Sequence, residues 1–234
     1  DGNVIYRCVP RTNMEINKYW LCDEGRFNYH YTQDPDRVLE PVADGALTDW
    51  KTAIERAKQA ISGKKVAILV GSDFTQEEAK AVLEMSSVLG AQSAPLHFGT
   101  RGITTAKEDG PEDGILKNKS KTSNLWGVEK LGFKPVTSLK GYDAVWIFRG
   151  GRAQLPNLND VSTVLGFGVF TKEETAKFTT VLPGRAFTEK DGTIFNFEGR
   201  EQKLKKAVEP VQTTKSVFDF LTLFSKAKSE SGAA

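Results

Sequence analysis

The chain has 234 residues, of which 39% are hydrophobic and 26% are charged, and this composition is typical of a globular protein with a buried core. A formal net charge of +2 is too small to indicate a surface for nucleic acid or an anionic membrane, and the cluster of Lys203, Lys205 and Lys206 is typical of a solvated face. Two cysteines exclude a disulfide framework and favour a reducing, cytoplasmic compartment.

The longest apolar run, residues 66–70, is too short to cross a bilayer, so we expect membrane association only indirectly, through partner subunits. The N-terminus lacks the basic and then apolar pattern of a signal peptide. Since the chain starts at Asp1, directly before the apolar run Val4-Ile5-Tyr6, we interpret it as part of a longer polypeptide.

Residues 1–41 are irregular and rich in turns, and they contain one cysteine in a distinctive setting. Cys22 is closely followed by Gly25 and Arg26, and a glycine lets the backbone approach a bulky inorganic cluster. An iron-sulfur cubane is held by four thiolates, whereas this chain has only Cys22 and Cys8. The pattern therefore indicates an iron-sulfur site that this chain contains only in part.

From residue 48 onward the pattern alternates between helices and strands. Thr48 or Asp49 is a candidate N-cap for a helix that ends at Gly63, and residues 66–70 read as a strand buried on both faces. A second helix is predicted over residues 75–89, with Gly90 as its C-cap, and a strand over residues 94–98. This order predicts an α/β fold, a Rossmann-like layered domain with a mostly parallel sheet.

The second half of the chain continues this pattern after a polar stretch. Residues 100–121 read as a surface loop, residues 143–148 as a buried strand that ends at Gly150-Gly151, and residues 179–184 as another short strand. Open α/β sheets bind ligands at the carboxyl ends of their strands, where this glycine pair lies. Apolar residues 217–224 recur at helical spacing, and this helix either covers the domain's own core or docks on a neighbour.

Residues 188–202 carry the most specific motif. They resemble the signature E-x-x-G-T-x-x-N-x-E-G-R-x-Q of molybdopterin oxidoreductases, and are particularly similar to the family of the large iron-sulfur subunit, the G subunit, of bacterial NADH-quinone oxidoreductase, respiratory complex I. Residues 9–27 resemble the entry of that family into the same fold, and residues 113–116 and 124–127 resemble its middle section. The resemblance spans most of the chain in the same order.

The resemblance implies a role for Cys22 as the last of four cysteine ligands of a 4Fe-4S cluster, with the other three upstream of Asp1. Gly25 and Arg26 would lie near this cluster, although Arg26 could equally form a salt bridge with Asp23 or Glu15. Cys8 is interpreted as a small buried hydrophobic residue rather than a ligand. If the upstream segment is lost, Cys22 remains only as a packing residue.

The sequence offers no catalytic residue that we can assign. His30 and His97 lack partners at metal-ligand spacing, and Gly71-Ser72-Asp73 is too short for a dinucleotide fingerprint. Glu24 stands where catalytic relatives carry a lysine or arginine, which argues against coupling to a pterin. The acidic residues of the signature are interpreted as parts of a structural turn and strand.

The resemblance implies two domains: residues 1–45 as the C-terminal part of a 4Fe-4S molybdopterin-oxidoreductase-type domain, and residues 46–234 as the α/β domain with a C-terminal helix. It implies a largely structural role, like that of the G subunit, in iron-sulfur electron transfer from NADH to quinone, without molybdopterin. Expected partners are other peripheral-arm subunits on the cytoplasmic side of the inner membrane. Two alternatives remain open: a fragment of a molybdopterin-dependent enzyme resembling formate dehydrogenase, with a pterin near Gly71-Ser72 and Gly150-Gly151, and a cofactor-free scaffold.

Overall fold

A single β-sheet of eight strands organises the computed structural model, which describes residues 2–88, 93–98 and 123–230. The strands of this sheet are β1 (Val42–Ala43), β2 (Ala46–Leu47), β3 (Val66–Gly71), β4 (Ser93–Phe98), β5 (Lys134–Pro135), β6 (Ala144–Arg149), β7 (Thr163–Gly168) and β8 (Thr180–Pro183). A separate hairpin contains β9 (Gly192–Phe195) and β10 (Glu201–Leu204). The helices are α1 (Asp23–Phe27), α2 (Trp50–Ile61), α3 (Gln76–Val88), α4 (Leu125–Lys130) and α5 (Val217–Glu230).

The strands follow the order β2-β1-β8-β7-β6-β3-β4-β5 across the sheet. All neighbours from β8 to β5 pair in parallel, whereas β1 pairs antiparallel with both β8 and β2. The chain winds outward from β3 to β4 and β5, and then returns to the other side of β3 with β6, β7 and β8. This is the doubly wound order of a Rossmann-like sheet, and it confirms the predicted fold class.

The two faces of the sheet explain why its central strands are continuously apolar. On one face, Ile68, Trp146 and Phe148 pack against α2, α3 and α5. On the other face, Leu69 and Ile147 pack beneath connecting segments of the chain. Every residue of β3, β6 and β7 is buried, as expected for parallel strands that are covered on both sides.

Helices α2 and α5 begin and pack as the sequence predicts, whereas α1 and α4 are not predicted. Asp49 caps α2, since its side chain accepts a hydrogen bond from the Thr52 N–H. In α5, the rings of Phe220 and Phe224 lie 5.6 and 5.2 Å from that of Trp146. Helix α5 therefore covers the domain's own core, which is one of the two roles considered for it, while Phe218 on the same helix is exposed. The predicted loop at 100–121 and the C-cap at Gly90 lie outside the described residues.

Strand β7 escapes prediction because its sequence contains two glycines. An added Cβ at Gly166 would lie 3.0 Å from the rings of Phe170 and Phe178, and Gly168 has a positive φ of 130°. Both positions therefore require glycine for structural reasons, although glycine weakens the strand pattern. Residues 2–41 contain α1 and a short 3-10 turn at His30–Gln33, where Tyr29 and Tyr31 are buried.

Candidate functional site

The candidate site lies where the winding of the sheet reverses, at the carboxyl ends of β3 and β6. The turn Gly71-Ser72-Asp73 follows β3, and Gly150-Gly151 follows β6. Sheets of this order bind their ligands in the crevice between such strand ends. In this chain, however, side chains of the protein itself occupy that crevice.

Asp73 is the residue at the centre of the site. The Gly150 N–H donates a hydrogen bond of 2.9 Å to its Oδ1 atom. Its Oδ2 atom is buried and has no hydrogen-bond partner among the described residues. Burial raises the pKa of the Asp73 carboxyl above its ordinary value, although the Gly150 N–H and the charges of Lys190 and Arg149 oppose that effect.

The N-terminus of α3 is already occupied by carboxylates of its own chain. Thr75 and Glu78 form a capping box: the Thr75 N–H donates to Glu78 Oε2 over 3.0 Å, and the Glu78 N–H to Thr75 Oγ1 over 3.3 Å. Lys190 Nζ lies 2.7 Å from Glu78 Oε2, and both side chains are buried. Glu77 accepts two hydrogen bonds from Thr193, one from the N–H and one from the hydroxyl.

Two further ion pairs lie at the same edge of the sheet, by which we mean the edge formed by the carboxyl ends of its parallel strands. Arg37 binds both carboxylate oxygens of Glu189 at 2.8 and 2.7 Å, and the exposures of these side chains are only 2% and 4%. Arg149, at the end of β6, binds the carboxylate of Glu174 in the same bidentate manner. Burial opposes ionisation of Glu174, but the hydrogen bonds and charge of Arg149 outweigh it and hold the pKa of Glu174 below its usual range.

The signature segment 188–202 supplies several of these partners. Glu189 and Lys190 are buried in the ion pairs, whereas Asp191 and Glu198 are exposed. Asn196 accepts hydrogen bonds from the N–H groups of Glu198 and Arg200 and so shapes the turn between β9 and β10. The ion pairs of Glu189 and Lys190 therefore hold the hairpin that follows them against this edge of the sheet.

Asn124 joins this hairpin to the turn after β3. It is fully buried, its Nδ2 donates to the Phe74 carbonyl over 2.9 Å, and its Oδ1 accepts from the Phe195 N–H over 2.8 Å. Its own N–H donates to the Ser72 carbonyl. One side chain thus connects β3, α4 and β9.

The residues predicted to lie near a cluster take no part in these ion pairs and stand on the N-terminal segment, residues 4–27. Cys22 precedes α1 and is exposed, and its Sγ atom accepts a 3.4 Å hydrogen bond from the Gly25 N–H. Gly25 and Arg26 are also exposed, and the described residues contain no ion pair of Arg26 with Asp23 or Glu15. The side chain of Glu24 lies outside the described part of the chain.

The remaining candidate ligands do not come together. Cys8 is half-buried, and burial raises the pKa of its thiol. His30 is exposed and stacks on Tyr29, whereas His97 is buried on β4, with Nε2 3.4 Å from Glu129 Oε1. Within residues 2–88, 93–98 and 123–230, no group of three or more histidines, cysteines and carboxylates could hold a metal ion. Cys22 can therefore supply one thiolate but cannot complete a cluster with the described residues.

We call the place between the carboxyl ends of β3 and β6, where the winding reverses, the switch point. Its residues do not fit a phosphate-bearing pterin cofactor. Phosphate groups bind at glycine-rich turns and helix N-termini that offer free N–H groups and positive charge. Here Asp73 takes the Gly150 N–H, the capping box fills the start of α3, and Glu78 takes Lys190. An anionic cofactor would meet buried carboxylates in place of donors.

Sequence reasoning identified the glycines of this edge but missed the residues that fill it. The partners of these residues lie 25 to 152 positions away in the sequence, so no local pattern predicts the pairs. The residues are Asp73, Arg37, Arg149 and Glu174. The one local signal was the position of Asp73, directly after a buried strand and before a helix. Asn124 could have been found as a polar residue that begins a helix.

Comparison with known proteins agrees with this architecture. Residues 27–227 match the family model for molybdopterin oxidoreductases. The chain is 32% identical over 91 residues to the G subunit of NADH-quinone oxidoreductase from Streptomyces coelicolor, a match that covers 36% of this chain and 11% of that protein. It is 27% identical over 144 residues to the protein of the same name in Pseudomonas putida, with 60% of this chain and 14% of the relative covered.

Another relative carries a different name. The chain is 37% identical over 65 residues to the alpha subunit of NADPH-Fe(3+) oxidoreductase from Geobacter sulfurreducens, across 28% of this chain and 8% of that protein. The matched regions thus span between 8 and 14% of the length of these three relatives. None of the helices within the described residues is long and apolar enough to cross a membrane.

Proposed function

We propose that this chain, which belongs to the molybdopterin oxidoreductase family, is part of a protein that resembles the G subunit of an NADH-quinone oxidoreductase. Its role is mainly structural: it supports iron-sulfur electron transfer from NADH to quinone, while NADH is oxidised and quinone is reduced elsewhere. The relatives that carry this name in two bacteria support the assignment. On this proposal the protein works without molybdopterin, and the described residues form no complete active site.

One observation carries the structural role: the edge of the sheet that would hold a cofactor is filled by the chain's own ion pairs. Arg37, Lys190 and Arg149 are the cations that this edge buries, and each is paired with a carboxylate of the chain, of Glu189, Glu78 and Glu174 respectively. Asp73 accepts the N–H of Gly150. A cofactor with phosphate groups would need free N–H groups and cations at such an edge. A domain that uses them internally serves better as a rigid support.

The iron-sulfur part of the proposal rests on the N-terminal segment. Residues 1–45 form the end of a 4Fe-4S-type domain, in which Cys22 is one ligand and the other ligands belong to sequence upstream of Asp1. The exposed thiol beside the Gly25 N–H supports this role, since hydrogen bonds to sulfur tune such clusters. Gly25 and Arg26 then lie near the cluster.

Partner subunits of a peripheral arm fit the surface of this segment. Most of the exposed large apolar side chains of the described residues belong to it: Val4, Tyr6, Val9, Met14, Ile16, Tyr19, Trp20 and Phe27. Exposed apolar side chains in this number on one segment favour protein-protein contact. We place the assembled complex on the cytoplasmic side of the inner membrane, which this chain reaches through its partners.

Metal analysis of the full-length protein, reconstituted anaerobically with iron and sulfide, tests the proposal. We expect stoichiometric iron, neither molybdenum nor tungsten, and a marked loss of iron in Cys22→Ser. Cys8→Ser is the matched control and should keep its iron. Unchanged iron in Cys22→Ser would exclude Cys22 as a ligand, stoichiometric molybdenum or tungsten would favour the formate dehydrogenase-like alternative, and a lack of iron-dependent absorbance would favour the cofactor-free scaffold.

A further inference from the structure

We propose that the Asp73 carboxylate occupies the position at the switch point that an external oxyanion would otherwise take. In this position it prevents phosphorylated cofactors from binding at this edge of the sheet. The inference deepens the proposed function, because it assigns the lack of a pterin to one side chain. It also predicts a latent anion site that removal of the carboxylate opens.

Three glycines from two neighbouring strand ends form the cradle around this carboxylate. A Cβ at Gly71 would lie 2.6 Å from Asp73 Oδ1, and one at Gly151 would lie 2.7 Å from Asp73 Oδ2. Gly150 contributes its N–H, which donates to Oδ1 over 2.9 Å. The carboxyl group thus fills the space that the missing side chains leave, and it accepts the Gly150 N–H there.

The charges around the cradle explain why an external anion is excluded while Asp73 is present. Lys190, Arg37 and Arg149 each lie in an ion pair with a carboxylate, of Glu78, Glu189 and Glu174 respectively. Asp73 is a further carboxylate at this edge and has no ion-pair partner among the described residues, and although the Arg152 side chain lines the neighbouring pocket, so does Asp34. An added phosphate would therefore meet an excess of negative charge in a poorly solvated place.

The cradle also has donors that an anion could use once Asp73 is shortened. The Gly150 N–H would lose its acceptor, and Lys190 Nζ lies beside it, since a Cβ at Gly150 would be 3.2 Å from that atom. Tyr31 is also buried beside the cradle, and its hydroxyl would lie 3.1 Å from a Cβ at Gly151. The enclosed space matches a small oxyanion the size of the lost carboxylate, such as formate.

The wild-type chain provides the first test. We expect inorganic pyrophosphate at pH 8 to leave the thermal midpoint unchanged, relative to chloride at the same ionic strength, because the cradle is full. A pyrophosphate-specific rise in the midpoint would overturn the proposal. This measurement requires no variant to fold.

Asp73→Ala and Asp73→Asn form a matched pair for the second test. The alanine variant empties the cradle, and we expect 100 mM formate to raise its thermal midpoint by about 2 to 4 °C above the effect of chloride. The asparagine variant removes the charge but keeps an oxygen at the Gly150 N–H, so formate should have no specific effect. Equal responses of the two variants, or no response in either, would contradict the inference.

Asp73→Ser keeps the test open if the alanine variant does not fold, since a serine is also too short to fill the cradle. The same formate-specific rise is then expected, and its absence would overturn the proposal. Failure here is separable from failure of the proposed function, because iron content and partner binding of the full-length protein do not depend on anion binding by these variants.

Discussion

The sheet edge at the switch point and the N-terminal segment differ in how completely their chemical groups are used. At the edge, buried cations and carboxylates are paired, and Asp73 is held by a backbone N–H. On residues 4–27, large apolar side chains and the thiol of Cys22 face solvent. The switch point is filled by groups of the chain itself, whereas the segment proposed to support a cluster leaves its thiol and its large apolar side chains exposed.

Because of this difference, we expect substitutions in the two regions to change different measured quantities. Residues of the edge should determine stability, because each one removed leaves a buried partner without its counter-group. Residues of the N-terminal segment should affect assembly and iron content while leaving the folded domain unchanged. The following substitutions test that division.

The largest effect is expected from Glu189→Ala. It leaves the Arg37 guanidinium buried without its carboxylate, and the loss of one member of a buried pair lowers the free energy of unfolding by about 3 to 5 kcal/mol. Urea denaturation measures this loss. Glu198→Ala is the matched control, since the side chain of its partner Arg200 is 51% exposed, and it should change stability by less than about 1 kcal/mol. Similar losses in both variants would remove the distinction.

Asn124→Ala should have the next largest effect. It leaves the Phe74 carbonyl and the Phe195 N–H without their partner, and each unsatisfied buried group destabilises by about 1 to 3 kcal/mol. Hydrogen exchange should show the loss of protection concentrated at Phe195 and along β9. Unchanged protection there would show that Asn124 does not hold the hairpin.

The pH dependence of stability should identify Asp73. Its pKa is raised by burial in the folded chain, so its stabilising contribution is complete below its ordinary value of 3.8 and is lost as the pH rises through the raised value. Asp73→Asn should lack this loss, so the stability of wild type relative to the variant should fall over that window. Urea denaturation at a series of pH values measures it, with the exposed Asp36→Asn as control. A constant difference across all pH values would argue against a raised pKa.

The smallest effect on stability is expected from Trp20→Ser, whose side chain is 70% exposed. The free energy of unfolding should change by less than about 0.5 kcal/mol, while co-elution with the partner subunits should weaken. Leu47→Ser on β2 is equally exposed and should leave both quantities unchanged. A large loss of stability in Trp20→Ser would place this side chain in the core instead of at an interface.

The sequence predicts the central fold well because the signals are local. The apolar run of β3, the Asp49 cap of α2 and the spacing of α5 each lie within a few residues and reappear in the structure. Strand β7 is obscured by Gly166 and Gly168, whose conformation and packing require glycine.

The sequence predicts where the candidate site lies but not which side chains fill it. The strand ends were identified from Gly150-Gly151, but the filling of that place depends on distant pairs: Asp73 and Gly150 are 77 residues apart, and Arg37 and Glu189 are 152 apart. Periodicity and motif spacing do not encode which distant groups meet. The roles of Cys22, Gly25 and Arg26 stay predictions, which the iron measurements address.

The separation between Arg37 and Glu189 also has a consequence for biosynthesis. At translation rates of about 5 to 20 residues per second, Arg37 leaves the ribosome roughly 8 to 30 s before its partner, which lies 152 residues later. During that interval the Arg37 guanidinium lacks the carboxylate that it binds in the folded domain. We expect this buried ion pair to form late, only after the signature segment has emerged.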